Sequence, residues 1–138
     1  MQLVYQTPTA EDYVSLRLRS GMGNKDLERS RTALKNSLFT VSLYDKEKLI
    51  GFGRIVGDGG ITYVVSDIMV DREYQRQGFA EKIMQAIDHY FEENAHDDKL
   101  CMSDSEILLL TCCIISISLN ICRITNAECC GIKVKKWL

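Results

Sequence analysis

The first hundred residues contain no cysteine, whereas all six cysteines fall between Cys101 and Cys130. A secreted disulfide scaffold would spread them along the chain, so a bridged framework is not expected. Metal-binding spacing is also missing. Cys112 and Cys113, and Cys129 and Cys130, are adjacent pairs, and adjacent thiols do not readily ligate one tetrahedral ion. Charge of either sign is not in large excess. The net charge of -2 gives no pull toward nucleic acid or an anionic bilayer. The start, Met1 to Gln6, lacks the basic stretch and apolar core of a signal peptide. The longest uncharged run, Ile107 to Cys122, is sixteen residues, short for a membrane span and broken by Ser, Thr and Asn. Neither an internal repeat nor a linker is visible. These absences leave a single cytoplasmic domain over residues 1–138, with no nucleic acid and no membrane among its partners. The 46% hydrophobic and 26% charged content fits that class.

What is present is a run of alternating elements. Leu3 to Tyr5 reads as a short strand. Thr9, with Asp12 three residues on, is an N-cap signal for a helix that stops at Gly21. Tyr13, Leu16 and Leu18 give it apolar positions. Asn24 is the expected cap of a second helix to Lys35, with Leu27 and Leu34 on one face. Phe39 to Tyr44 alternates apolar and polar residues, and Leu49 to Val56 returns after the polar turn Asp45 to Lys48, which makes a hairpin. Gly57-Asp58-Gly59-Gly60 is the strongest turn signal. Ile61 to Val70 is nearly all apolar or β-branched, the pattern of a buried central strand. After a polar loop, Asp71 to Gln77, Gly78 opens a helix to about Asn94, with Ile83, Ala86, Ile87, Tyr90 and Phe91 on its core face. Leu100 to Met102 reads as one further strand.

Strand, polar loop, glycine, helix is an arrangement suited to phosphate. A helix's first turn has N–H groups without partners and a partial positive charge. Gly78 offers no Cβ to hold a phosphate away, Ala80 is small, and Arg76 can add a charge-assisted contact. The pattern alone is equally that of a glycine helix start in a polar loop.

Gln75-Arg76-Gln77-Gly78-Phe79-Ala80 resembles the Q/R-x-x-G-x-G/A signature of the GNAT superfamily of N-acetyltransferases. Val65 to Val70 is similar to that family's fourth strand, and the upstream order of strand, two helices and hairpin agrees. The resemblance covers residues 1–103. It implies an α/β fold, a mixed and mostly antiparallel sheet with helices on both faces. It implies acetyl-coenzyme A as co-substrate, no metal, and acetyl transfer to a primary amine on a small molecule or peptide. A homodimer is compatible with it. The resemblance assigns Gln75, Arg76, Gln77, Gly78, Phe79 and Ala80 to the pyrophosphate. The pantetheine arm would lie between splayed fourth and fifth strands, against Ile68, Met69 and Val70.

Asp67 and Glu73 are the candidate catalytic carboxylates for proton traffic. Asp67 lies inside an otherwise apolar strand, where a carboxylate is costly unless it is bonded or functional; Glu73 sits on a loop. His89 and His96 read as solvent-facing.

Residues 104–138 depart from the family. Its later helix carries a tyrosine that commonly protonates the leaving thiolate, yet no tyrosine or phenylalanine occurs between Met102 and Leu138. Shifted reading of A/T-rich synonymous codons over this stretch yields tyrosines at plausible spacing, so the segment reads as frame-shifted and its place in the fold as atypical. Two other functions stay open. One is an acyl-coenzyme A-binding module, or a defective acetyltransferase remnant, that binds without turnover. The other is a thiol or metal protein built on the tail.

Overall fold

A computed structural model describes residues 1–94 and 100–103. Residues 1–104 form one compact unit; the atypical segment and the domain expectation beyond it lie outside the described residues. The elements run β1 (Gln2–Val4), α1 (Ala10–Ser20), α2 (Leu27–Lys35), β2 (Phe39–Asp45), β3 (Lys48–Gly57), β4 (Thr62–Val70), a 3-10 turn (Arg72–Tyr74), α3 (Phe79–Asn94) and β5 (Leu100–Ser103). The strands form one sheet in chain order, β1-β2-β3-β4-β5. The first four pair antiparallel and β4 pairs with β5 in parallel, which is the expected mixed, mostly antiparallel sheet.

Local chemistry sets the helix ends. The Thr9 hydroxyl oxygen accepts from the Asp12 amide at 3.1 Å and donates to the Asp12 carboxylate at 2.8 Å, so α1 starts there. It stops at Gly21, whose φ of 91° is left-handed. The second helix differs from expectation. Asp26 is its cap, accepting from the Arg29 amide at 2.9 Å, while Asn24 reaches only the neighbouring Lys25 amide. Both residue types cap equally well, and the one that lies three residues before a free amide in the folded turn wins.

The period-2 alternation of the central strands divides the core between two faces. Toward α1 and α2 lie Leu49, Phe52 and Met69, packed with Ala10, Tyr13, Leu16 and Leu34. Leu16 and Phe52 are fully buried, and each such side chain contributes about 1.5–3 kcal/mol. The edge of Phe52 meets the Tyr13 ring at 5.4 Å. Leu18, read as one of the apolar positions of α1, and Leu27, read on one face with Leu34, are exposed.

Toward α3 the sheet offers two glycines. A Cβ on Gly51 would come within 3.0 Å of Ile83 Cδ1, and one on Gly53 within 2.7 Å of both Ile83 Cγ2 and Ile68 Cδ1. The missing side chains let Ile83 and Ile87, both fully buried, rest on the sheet backbone. Phe91 closes this face edge-on to Tyr63, at 5.5 Å between ring centres.

Candidate functional site

The ladder between β3 and β4 is broken at one place. Phe52 pairs with Met69 and Arg54 with Ser66, so Gly53 alone stands opposite both Asp67 and Ile68. This is a β-bulge, with one extra residue on β4. Asp67 takes the left-handed conformation there, φ 56°, which Asp tolerates better than β-branched or bulky residues do. On its other side β4 pairs with β5 over Thr62–Val65. Among the described residues, no strand pairs with that edge of β4 at Ile68, Met69 and Val70.

The Asp67 side chain turns under α1 and is buried, 7% exposed. Its Oδ1 accepts from Arg17 Nη1 at 2.6 Å. Its Oδ2 accepts from the Tyr13 hydroxyl at 2.8 Å and from Arg54 Nε at 2.7 Å. The arginines carry the connection outward. Arg17 Nη2 donates to the Met22 carbonyl at 3.0 Å, and Arg54 Nη1 to the Ala33 carbonyl at 3.0 Å. Burial, and then the Asp67 carboxylate beside it, push the Tyr13 phenol above its ordinary pKa.

Beyond β4, Asp71 organises the loop. It is 2% exposed, and its carboxylate receives Arg19 Nε at 2.7 Å, Lys48 Nζ at 3.1 Å and the Glu73 amide at 3.2 Å. Burial pulls its pKa up, but these donors outweigh it and hold the carboxyl below its usual range. The hydrogen bond from the Glu73 amide to Asp71 Oδ1 thereby starts the 3-10 turn, an element hidden in what reads as plain polar loop. Gln75 Nε2 returns to the Val70 carbonyl at 2.9 Å, and Gln77 Nε2 to the Glu73 carbonyl at 3.2 Å. Arg76 and Gly78 both have left-handed backbones, φ 61° and 80°. Arg76, Gln77 and Gly78 are exposed.

Helices α1 and α2 begin under capping side chains. The glycine before α3 has no side chain to cap with, so the first amides of this helix have no intrahelical or cap acceptor. A Cβ built on Gly78 would meet nothing within 4 Å. Room and donors therefore coincide at the residues assigned to pyrophosphate, and the open edge at Ile68, Met69 and Val70 leads to them.

The two candidate catalytic carboxylates do not come together. Glu73 is exposed and pairs with Lys48 Nζ at 3.0 Å. Asp67 shares no partner with it. His89 is exposed on α3, 3.5 Å from a Glu93 carboxylate oxygen; His96 lies outside the described residues. The sequence reading missed Tyr13, Arg17 and Arg54 as partners of Asp67. A signal was there: Arg17 falls on the same helical stripe as Tyr13, four residues on, where a solvated face would not put it. Among the described residues no group of three or more His, Cys, Asp or Glu side chains could hold a metal. No helix among them is long and apolar enough to cross a membrane.

A mixed sheet with a bulge in its fourth strand, followed by a loop and a helix that opens on glycine, is the architecture of the acetyl-transferring GNAT fold. The comparisons agree. The Acetyltransferase (GNAT) family model matches residues 8–105, and the chain belongs to that family. It is similar to the "probable acetyltransferase" SA2161 of meticillin-resistant Staphylococcus aureus, with 32% identity and a TM-score of 0.80 over 98% of both chains. The fold is shared with the GNAT family protein SP0256 of Streptococcus pneumoniae TIGR4, at 23% identity and TM-score 0.70, over 99% of this chain and 96% of that one. An aminoglycoside 6'-N-acetyltransferase complexed with coenzyme A shares it too, at 13% identity and TM-score 0.58, over 68% of this chain and 57% of that one. None of the curated proteins matches the chain.

Proposed function

We propose that this protein transfers the acetyl group of acetyl-coenzyme A to a primary amine on a small molecule or peptide. The observation that carries the proposal is the succession of a β4 edge with no strand partner at Ile68 to Val70 among the described residues and an α3 that opens on glycine. The amides of Gln77, Gly78, Phe79 and Ala80 bind the pyrophosphate, and Arg76 adds a positive charge. Gln75 holds the loop to the end of β4 through the Val70 carbonyl. Backbone groups of Ile68, Met69 and Val70 pair with the pantetheine amides as a neighbouring strand would.

The thioester supplies an activated acyl carbon. A neutral amine placed beside it forms the C–N bond, the C–S bond breaks, the amine gives up a proton, and coenzyme A leaves as the thiol. Of the two carboxylates assigned to proton traffic, Glu73 is the exposed one and Asp67 already receives three donors.

Incubation with acetyl-coenzyme A and a panel of amines, followed by thiol release and by mass analysis of the amine, tests the reading. Thiol release that depends on an amine, with a gain of one acetyl group, is expected. Coenzyme A that fails to bind at all in calorimetry would refute it. Binding without thiol release would favour the non-catalytic module, a reading supported by the absence of tyrosine after Met102.

A further inference from the structure

We infer that Asp67 is a positioning residue, which with Tyr13, Arg17 and Arg54 locks the bulge of β4 in the shape that receives the pantetheine arm. The inference rests on the acetyl-coenzyme A reading above. Its first support is conformational. A left-handed residue inside a strand is unfavourable by about 1–2 kcal/mol and persists where the surroundings over-determine it. At Asp67 they do, because three side chains from two elements converge on one buried carboxylate.

The second support is directional. Asp67 faces α1, and Ile68, next along the chain, faces α3 through the space that Gly53 leaves. The bulge therefore fixes which way the backbone groups of Ile68 to Val70 point on the free edge. The third is connectivity. Arg54 reaches the Ala33 carbonyl at the end of α2, and Arg17 reaches the Met22 carbonyl in the α1–α2 connection. One carboxylate thus fastens both helices of that face to the strand that holds the thioester arm. A proton acceptor needs a lone pair open to its substrate. Here both oxygens point into the protein and are taken by cationic or hydroxyl donors.

The two roles separate in binding. A lock acts on the pantetheine arm and leaves the pyrophosphate loop alone. Calorimetry on Asp67→Asn should show coenzyme A affinity reduced tenfold or more, with affinity for its nucleotide half, 3'-phospho-ADP, within twofold of the parent. In turnover, KM for acetyl-coenzyme A should rise while the pH profile of kcat keeps its shape. Tyr13→Phe, which keeps both arginines paired, should give a smaller loss of the same selective kind and serves if Asp67→Asn does not fold. Unchanged coenzyme A affinity, or equal loss for both ligands, overturns the lock. A fall in kcat with an altered pH profile and intact affinity also overturns it and restores Asp67 as the base. A parent protein that binds neither ligand refutes the acetyl-coenzyme A reading itself.

Discussion

At the scale of single residues, Gly78 carries two separable demands. Its φ of 80° disfavours any side chain, by about 1–2 kcal/mol, and on the function proposed above the open space beside it takes an anion. Gly78→Ala should weaken coenzyme A binding about tenfold, chiefly through the backbone. Gly78→Asp adds negative charge facing the pyrophosphate and should weaken it by a hundredfold or more. Calorimetry at two salt concentrations separates the effects, since the charge contribution shrinks with salt. Asp88 makes a different prediction. Burial, and then the nearby Glu92, raise its pKa from 3.8 to about 6, and its Oδ1 is buried without a hydrogen-bond partner among the described residues. The folded chain holds this proton more tightly than the unfolded chain, so stability is full below about pH 4, falls as pH rises to about 6, and stays lower above it. Asp88→Asn cannot ionise. It should be more stable than the parent by about 1–2 kcal/mol at pH 8, after allowance for partial exposure, and the advantage should vanish at pH 4. Urea melts at the two pH values check this.

At the scale of elements, α3 sits where it does because β3 presents glycine to it. Gly53→Ala would push a methyl group into Ile83 and Ile68 and should destabilise the protein by about 1–3 kcal/mol. Adding Ile68→Val removes one of the two colliding atoms, Cδ1, and should recover part of the loss in a double-mutant cycle. Additive losses would show that the clash lies elsewhere. The elements themselves were mostly legible, because caps, alternation and helical spacing are local signals. The Thr9 cap, the Gly21 stop, the hairpin and α3 could all be read from a few neighbouring residues. The bulge could not. Val65 to Val70 reads as an unbroken buried strand, and the extra residue at Asp67 arises only when Gly53, Arg54 and Arg17 are brought to it from elsewhere. For the same reason Asp67 reads as a candidate base, since in sequence it stands alone among apolar neighbours. The glycine-opened start of α3 was legible for the opposite reason: its loop and its glycine are contiguous, and only the short turn begun by Asp71 is not visible there.

At the scale of the whole molecule, the strand order β1-β2-β3-β4-β5 repeats the order of synthesis. Each antiparallel strand finds its partner in the strand made just before it; the two long steps are β1 to β2, spanned by α1 and α2, and β4 to β5, spanned by α3. The β2–β3 hairpin is local and favours early formation, whereas the β1 and β5 pairings wait for distant chain. In pulse-labelled hydrogen exchange during refolding, the amides of β2 and β3 should gain protection before those of β4 and β5; simultaneous protection would mean that the sheet forms in one cooperative step. The Asp67 cluster is the furthest from a local plan, since Asp67 lies 50 and 54 residues from Arg17 and Tyr13. A nascent chain can therefore lay down its hairpin early, but the crease in β4 is set only once the first helix, made long before, is clamped against it. The strand that shapes the cleft is thus finished by the oldest part of the chain, and a ribosome-bound fragment ending before residue 67 would hold every donor of that clamp with nothing yet to grip.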